Sequence, residues 1–109
     1  MAEDRMNLLQ GTLDLLVLQT LYAMGPMHGW GIARRLEQVA DERIRINYGT
    51  MYPALVRLEQ RGWIRAEWGA SENNRRAKFY ALTKVGRERL ESEKRDWHAM
   101  AAIVDKVLE

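Results

Sequence analysis

Three cations stand in one short run of the sequence, Arg75, Arg76 and Lys78 in "NNRRAK", and no acid follows Glu72 until Glu88. Such a local basic patch suits the phosphates of a polyanion, while the commoner use of a charge run is a solvated face. Upstream, Tyr48, Thr50 and Tyr52 alternate in "NYGTMYP". Hydroxyl groups at the start of a helix, beside its free N–H groups, can reach phosphates and base edges. Catalytic sets are harder to find. The chain has no Cys, and only His28 and His98 could supply imidazole, so neither a disulfide nor a zinc cluster is supported. His28 has no partnered nucleophile or carboxylate pair near it in sequence and is expected to cap a helix or touch phosphate. "HGWG" lacks the third glycine and the preceding strand of a phosphate loop. We expect no enzyme site, no cofactor and no metal, with His98 a solvated residue.

The elements that must carry these residues follow from hydrophobic period. Leu13, Leu16, Val17, Leu21 and Met24 predict a helix from Gly11 to about Met24, ended by Gly25-Pro26. Ile32, Leu36 and Val39 predict a second, with Arg34, Arg35, Glu37 and Gln38 on its wet face. A short polar connector, "DERIRINYG", comes next. The third helix is predicted to start at Thr50, with Asn47 as the alternative cap; a start at Thr50 puts Pro53 in the first turn, where its missing N–H would have no partner anyway. Met51, Leu55 and Leu58 form its buried stripe, and Tyr52, Val56 and Arg57 its mixed outer face, Arg57 being solvated or salt-bridged. After Gly62 the period falls to two: Ile64, Ala66 and Trp68 alternate with Trp63, Arg65 and Glu67, which reads as a strand. "SENN" turns, "RRAKFYAL" returns, and the hairpin has Asn73-Asn74 at its tip. Thr83 caps a last helix to about Leu108, roughly 25 residues and about 38 Å long.

Composition narrows the setting. The chain has 109 residues, 47% of them hydrophobic and 29% charged, which fits one folded domain. No apolar run approaches the roughly 20 residues of a membrane span. The opening "MAEDRMNLLQ" lacks the basic start and long apolar middle of a secretory signal, so a cytoplasmic location without a membrane partner is expected. The net charge of +2, from 17 basic and 15 acidic residues, does not by itself announce a polyanion partner.

Three short helices, a hairpin and a long helix, in that order, make a mainly α chain with a small β-hairpin: a winged helix-turn-helix with an added dimerisation helix. Residues 1–82 would form the DNA-binding domain and 83–109 the dimerisation helix. In such a domain the third helix enters the major groove of double-stranded DNA and the wing lies along the backbone or the minor groove. That assigns DNA contacts to Tyr48, Thr50 and Tyr52 on the helix and to Arg75, Arg76 and Lys78 on the wing. The competing readings are that Tyr52 packs against helix 2, that Thr50 only caps, and that the wing cations are solvated. Lys78 alternates with Arg76 toward the body of the sheet and carries less weight.

The last helix holds Leu90, Trp97 and Val104 at intervals of seven, with Met100 and Val107 three residues after the second and third. This heptad seam predicts a homodimer, although Glu93 occupies one seam position and the helix could instead pack on helix 1. Trp97 would face its mate across a two-fold axis. It is either plain dimer core or one half of a pair of indoles that sandwiches a flat ligand.

Together, "GTLDLLVLQTL", "GPMHGWGIARRLE", "GTMYPALVRLEQRGWI" and "SENNRRAKFYALTKVGRERL" resemble the PadR family of bacterial transcriptional regulators over nearly the whole chain. The resemblance implies a homodimeric repressor on a pseudo-palindromic operator, often near its own gene and commonly released by small aromatic compounds. The single C-terminal helix is similar to that of short family members. By position, "GTMYP" puts Thr50 and Tyr52 in the recognition helix, and the basic turn puts Arg75, Arg76 and Lys78 in the wing. Two residues depart from the family pattern. Trp30 stands where Tyr often follows "HG" and lacks a hydroxyl that could reach phosphate; Met51 replaces the usual Leu, a mild core change. The alternative function is a winged-helix module that binds protein instead of DNA.

Overall fold

A computed structural model describes residues 10–109. Residues 1–9, most of the opening stretch read above for a leader, lie outside the described residues. The elements are α1 (Gln10–Met24), β1 (Met27–His28), α2 (Gly29–Val39), α3 (Tyr48–Gln60), β2 (Ile64–Ala70), β3 (Arg76–Leu82) and α4 (Lys84–Leu108). The mainly helical winged helix-turn-helix order expected from the sequence is the order found.

The apolar faces of α1, α2 and α3 close on one core. Leu13, Val17, Leu18 and Leu21 of α1 meet Ile32 and Leu36 of α2 and the wholly buried Met51, Leu55 and Leu58 of α3. Each such side chain contributes about 1.5–3 kcal/mol by leaving water. Three expectations need correction. Val39 is 66% exposed, because α2 ends there and the core has already curved away from its last turn. Met24, at the last turn of α1, is also exposed. The supposedly polar connector contributes Ile44 and Ile46 to the core. Glu37, placed on the wet face of α2, holds that connector in place: its Oε2 accepts the Ile46 N–H at 2.9 Å while Oε1 meets Arg34 at 3.1 Å.

The third helix starts two residues earlier than predicted. Asn47 is its N-cap, and Asn47 Oδ1 accepts the Thr50 N–H at 2.9 Å. Pro53 therefore sits past the first turn, and the helix forgoes one internal hydrogen bond there. The outward Arg57 is salt-bridged, its Nη2 lying 2.8 Å from Asp14 Oδ1, which ties α3 to α1. Arg61 and Gly62, the latter with φ 77°, end the helix.

The sheet has three antiparallel strands in the order β1-β3-β2. The sequence reading found the hairpin and missed β1, whose two residues pair Met27 with Tyr80 and His28 with Phe79. A two-residue strand carries no period to read. At the base of the hairpin, Thr83 joins α4 to the rest of the molecule. Its N–H donates to Trp63 O at 3.0 Å, its hydroxyl donates to Gly62 O at 2.7 Å, and the same oxygen accepts the Gly86 N–H at 3.0 Å. Gly86 lies so close to the Trp63 carbonyl that a Cβ there would overlap it. The guanidinium groups of Arg61 and Arg89 both lie over the Trp63 indole, 5.1 and 4.8 Å from its ring centre. The first turns of α4 thus belong to the same body as the wing base.

Candidate nucleic-acid interface

The exposed start of α3 presents the first group of candidate residues. Tyr48 and Tyr52, one helical turn apart, stack with ring centres 5.3 Å apart, and both are largely exposed. Tyr52 is 50% exposed while one edge of its ring lies beside Gly29 of α2, where a Cβ would stand 3.7 Å from it. Thr50 does take part in the cap, since its hydroxyl lies 3.2 Å from Asn47 Oδ1, yet it remains at the surface. Partial burial raises the Tyr48 phenol above its ordinary 10.0, with Tyr52 and Glu37 adding to the effect, so it stays a neutral hydroxyl at pH 7. Alongside it, the first turn of the helix carries the positive end of its dipole, with the Thr50 N–H already taken by Asn47 Oδ1.

The wing presents the second group. Its turn is closed by the Ser71 N–H on Arg75 O at 2.8 Å and the Asn74 N–H on Ser71 O at 2.9 Å. Asn74 adopts φ 59°, a left-handed conformation that Asn tolerates better than most residues. The turn leaves Arg75 and Arg76 exposed, and neither makes an ion pair among the described residues. Arg76 lies over the Trp68 ring at 4.6 Å. Lys78 is placed differently. Its Nζ reaches Glu59 of α3 at 3.5 Å, so it spans from wing to helix and is partly neutralised.

Tyr52 and the wing share an open groove of about 790 Å³, lined by Trp30, Tyr52 and Val56 from the helices and by Trp68, Arg75, Arg76, Lys78 and Tyr80 from the hairpin; Tyr48 and Thr50 lie outside it. Sequence reasoning missed the role of Trp68, which was paired with Ile64 and Ala66 as one side of a strand. Ile64 is buried, but by Trp68 the strand has run beyond the core, and the indole is 57% exposed. Its partnership with Arg76 could have been found from the hairpin register alone, which makes the two diagonal neighbours. His28, also in the groove lining, caps α2, one of its two expected roles, its Nδ1 accepting the Gly31 N–H at 2.9 Å. Gly29 packs under Leu55 of α3, so "HGWG" serves a cap and a close helix contact and forms no phosphate loop.

The seam on α4 is only partly as expected. Leu90 is wholly buried in the chain's own core, because the first turns of α4 pack against α1, so it cannot face a second copy. Beyond it Trp97, Met100, Ile103, Val104, Val107 and Leu108 are all exposed. Ile103 and Leu108, not counted in the heptad, widen the stripe. His98 is exposed beside it, edge-on to Trp97 at 5.5 Å.

A family model for the "Transcriptional regulator PadR-like family" matches residues 17–92, which takes in α2, α3, both long strands and the start of α4. The chain belongs to this family. Members of the PadR-like family are transcriptional regulators, not enzymes. A PadR family transcriptional regulator from Eggerthella lenta DSM 2243 is 34% identical, with a TM-score of 0.76 over 92% of this chain and 84% of that one. A transcriptional regulator from Clostridium thermocellum is 26% identical, with a TM-score of 0.83 over 92% of this chain and 96% of that one. An uncharacterized 37.1 kDa protein of a Streptomyces fradiae transposon is 39% identical over 88% of this chain. The chain spans only 25% of that relative's length. Of the two departures from the PadR pattern, Met51 is wholly buried in the core, and Trp30 is half exposed at the rim of the groove. No described helix is long and apolar enough to cross a membrane.

Proposed function

We propose that this PadR-like chain is a homodimeric, sequence-specific repressor that works in the cytoplasm on a pseudo-palindromic operator, often near its own gene. The observation that carries the DNA contact is the groove shared by Tyr52 of α3 and the unpaired Arg75 and Arg76 of the wing, with Tyr48 and Thr50 exposed beside Tyr52 at the start of the helix. In this reading residues 1–82 read DNA and, of residues 83–109, the exposed part of α4 beyond Leu90 pairs the two copies. Tyr52 and its neighbours discriminate bases, Arg75 and Arg76 hold phosphate, and Lys78 adds a weaker contact because Glu59 competes for it. Dimerisation is supported by the exposed apolar stripe of α4, a surface that a lone chain in water would leave wet. Trp97 lies in that stripe, as dimer core or as the floor for a flat aromatic effector between two indoles. Tryptophan quenching by an aromatic ligand that Trp97→Phe abolishes would mark the second; quenching that persists in Trp97→Phe, or none, would mark the first.

Paired variants test the division of labour. Tyr52→Ala should weaken binding to the operator more than to unrelated DNA. Arg75→Ala should weaken both and lower the salt slope by about one. A slope that Arg75→Ala leaves untouched would remove the wing from the interface.

A further inference from the structure

We propose that Trp68 is a positioning residue for the wing, holding the Arg76 guanidinium ready for a phosphate; the proposal rests on the DNA-binding reading above. In the hairpin Trp68 pairs with Lys78 and Ala70 with Arg76, so Trp68 and Arg76 are diagonal neighbours on one face. Arg76 Cζ lies 4.6 Å from the centre of the indole. Trp68 is not held there by the core, being 57% exposed near the tip of the strand. Its partner is equally uncommitted. Lys78, next along the same face, is drawn to Glu59 at 3.5 Å, whereas Arg76 has no carboxylate within reach among the described residues.

A cation over an aromatic ring is held by its charge and commits none of its N–H donors to hydrogen bonds. Those of the guanidinium lie in its plane and stay free to point at phosphate oxygens. An unsupported Arg on a turn must give up most of its rotamer freedom when it docks, and one already laid on an indole gives up less. Trp68 would therefore strengthen DNA binding through Arg76, without a DNA contact of its own.

The test uses the full chain and a fluorescein-labelled duplex of arbitrary sequence, since a phosphate contact needs no operator, with anisotropy followed across a salt series. Trp68→Ala should weaken binding about 2- to 5-fold, the range of an exposed cation–π contact. Trp68→Phe, which keeps an aromatic face, should recover most of that loss, and Trp68→Leu, which keeps only bulk, should not. In an Arg76→Ala background Trp68→Ala should have no further effect. Arg76→Ala should lower the salt slope by about one, while Trp68→Ala leaves the slope in place because the contact is still made. Leu serving as well as Trp would overturn the proposal. So would an equal loss from Trp68→Ala with Arg76 absent, which would put the indole on DNA itself. A wild-type chain that binds no duplex at low salt overturns the DNA reading and this inference together; a wild type that binds while Leu replaces Trp68 freely overturns the inference alone.

Discussion

Gly86→Ala sets two effects of opposite sign against each other. Gly86 lies in the first turn of α4, where Ala is favoured over Gly by up to about 1 kcal/mol on helix propensity alone. Against that, the new Cβ would overlap the Trp63 carbonyl oxygen and come within 2.8 Å of its carbon, and these are backbone atoms that cannot swing aside. Overpacking of this kind costs about 1–3 kcal/mol. The same carbonyl accepts the Thr83 N–H at 3.0 Å, so displacing it weakens a hydrogen bond of about 1 kcal/mol. The net expectation is a destabilisation of about 1–3 kcal/mol. For a domain near this size that lowers Tm by on the order of 5–20 °C in a thermal melt followed by circular dichroism. Gly11→Ala in α1 is the control, because nothing lies within 4 Å of its Cβ position, and it should hold or raise Tm. A Gly86→Ala chain that melts at or above wild type would refute the argument that α4 is seated by this close approach.

Other consequences are smaller or more specific. Asp14→Ala strands Arg57, whose Nε already lacks a partner among the described residues, and should cost about 1–3 kcal/mol in urea unfolding, less than a fully buried pair because Arg57 keeps partial access to water. Val104→Glu puts a charge in the exposed stripe of α4 and should yield monomers in analytical ultracentrifugation while leaving the melting of the isolated fold nearly unchanged. Burial raises the Tyr80 phenol above its ordinary 10.0, and Glu59 and Tyr52 add to this. A proton held more tightly in the folded chain stabilises the fold below pH 10, and that contribution is lost as pH rises through the raised value. Tyr80→Phe should therefore lose less stability than wild type between neutral and strongly alkaline pH in denaturant titrations.

The elements with strong periods were legible before any coordinates. The stripes of α1 and α3, the hairpin and the long α4 with its Thr83 cap all follow from spacing, and the His28 cap was one of two roles its position left open. What was not legible depended on contacts distant in sequence. β1 exists because Tyr80 and Phe79 arrive beside Met27 and His28, and the two-residue strand has no pattern of its own. Ile44 and Ile46 alternate with Arg43 and Arg45, a strand-like signal hidden inside a connector that looked polar. Leu90 fits the heptad and the core equally well by spacing, and only the packing of α4 on α1 decides between them. In the candidate interface the residue types were readable, but the partners were not: Lys78 turns to Glu59, and Arg76 lies on Trp68.

If the start of α3 and the wing bind DNA together, the chain must select one duplex over another. The most direct test is a salt titration of the purified chain against a labelled duplex from just upstream of its own coding region and a scrambled duplex of equal length. Tight binding to the first, falling steeply with salt and much weaker on the second, is the predicted result. Absence of binding to either duplex at low salt would contradict it and turn attention to a protein partner for the same winged helix.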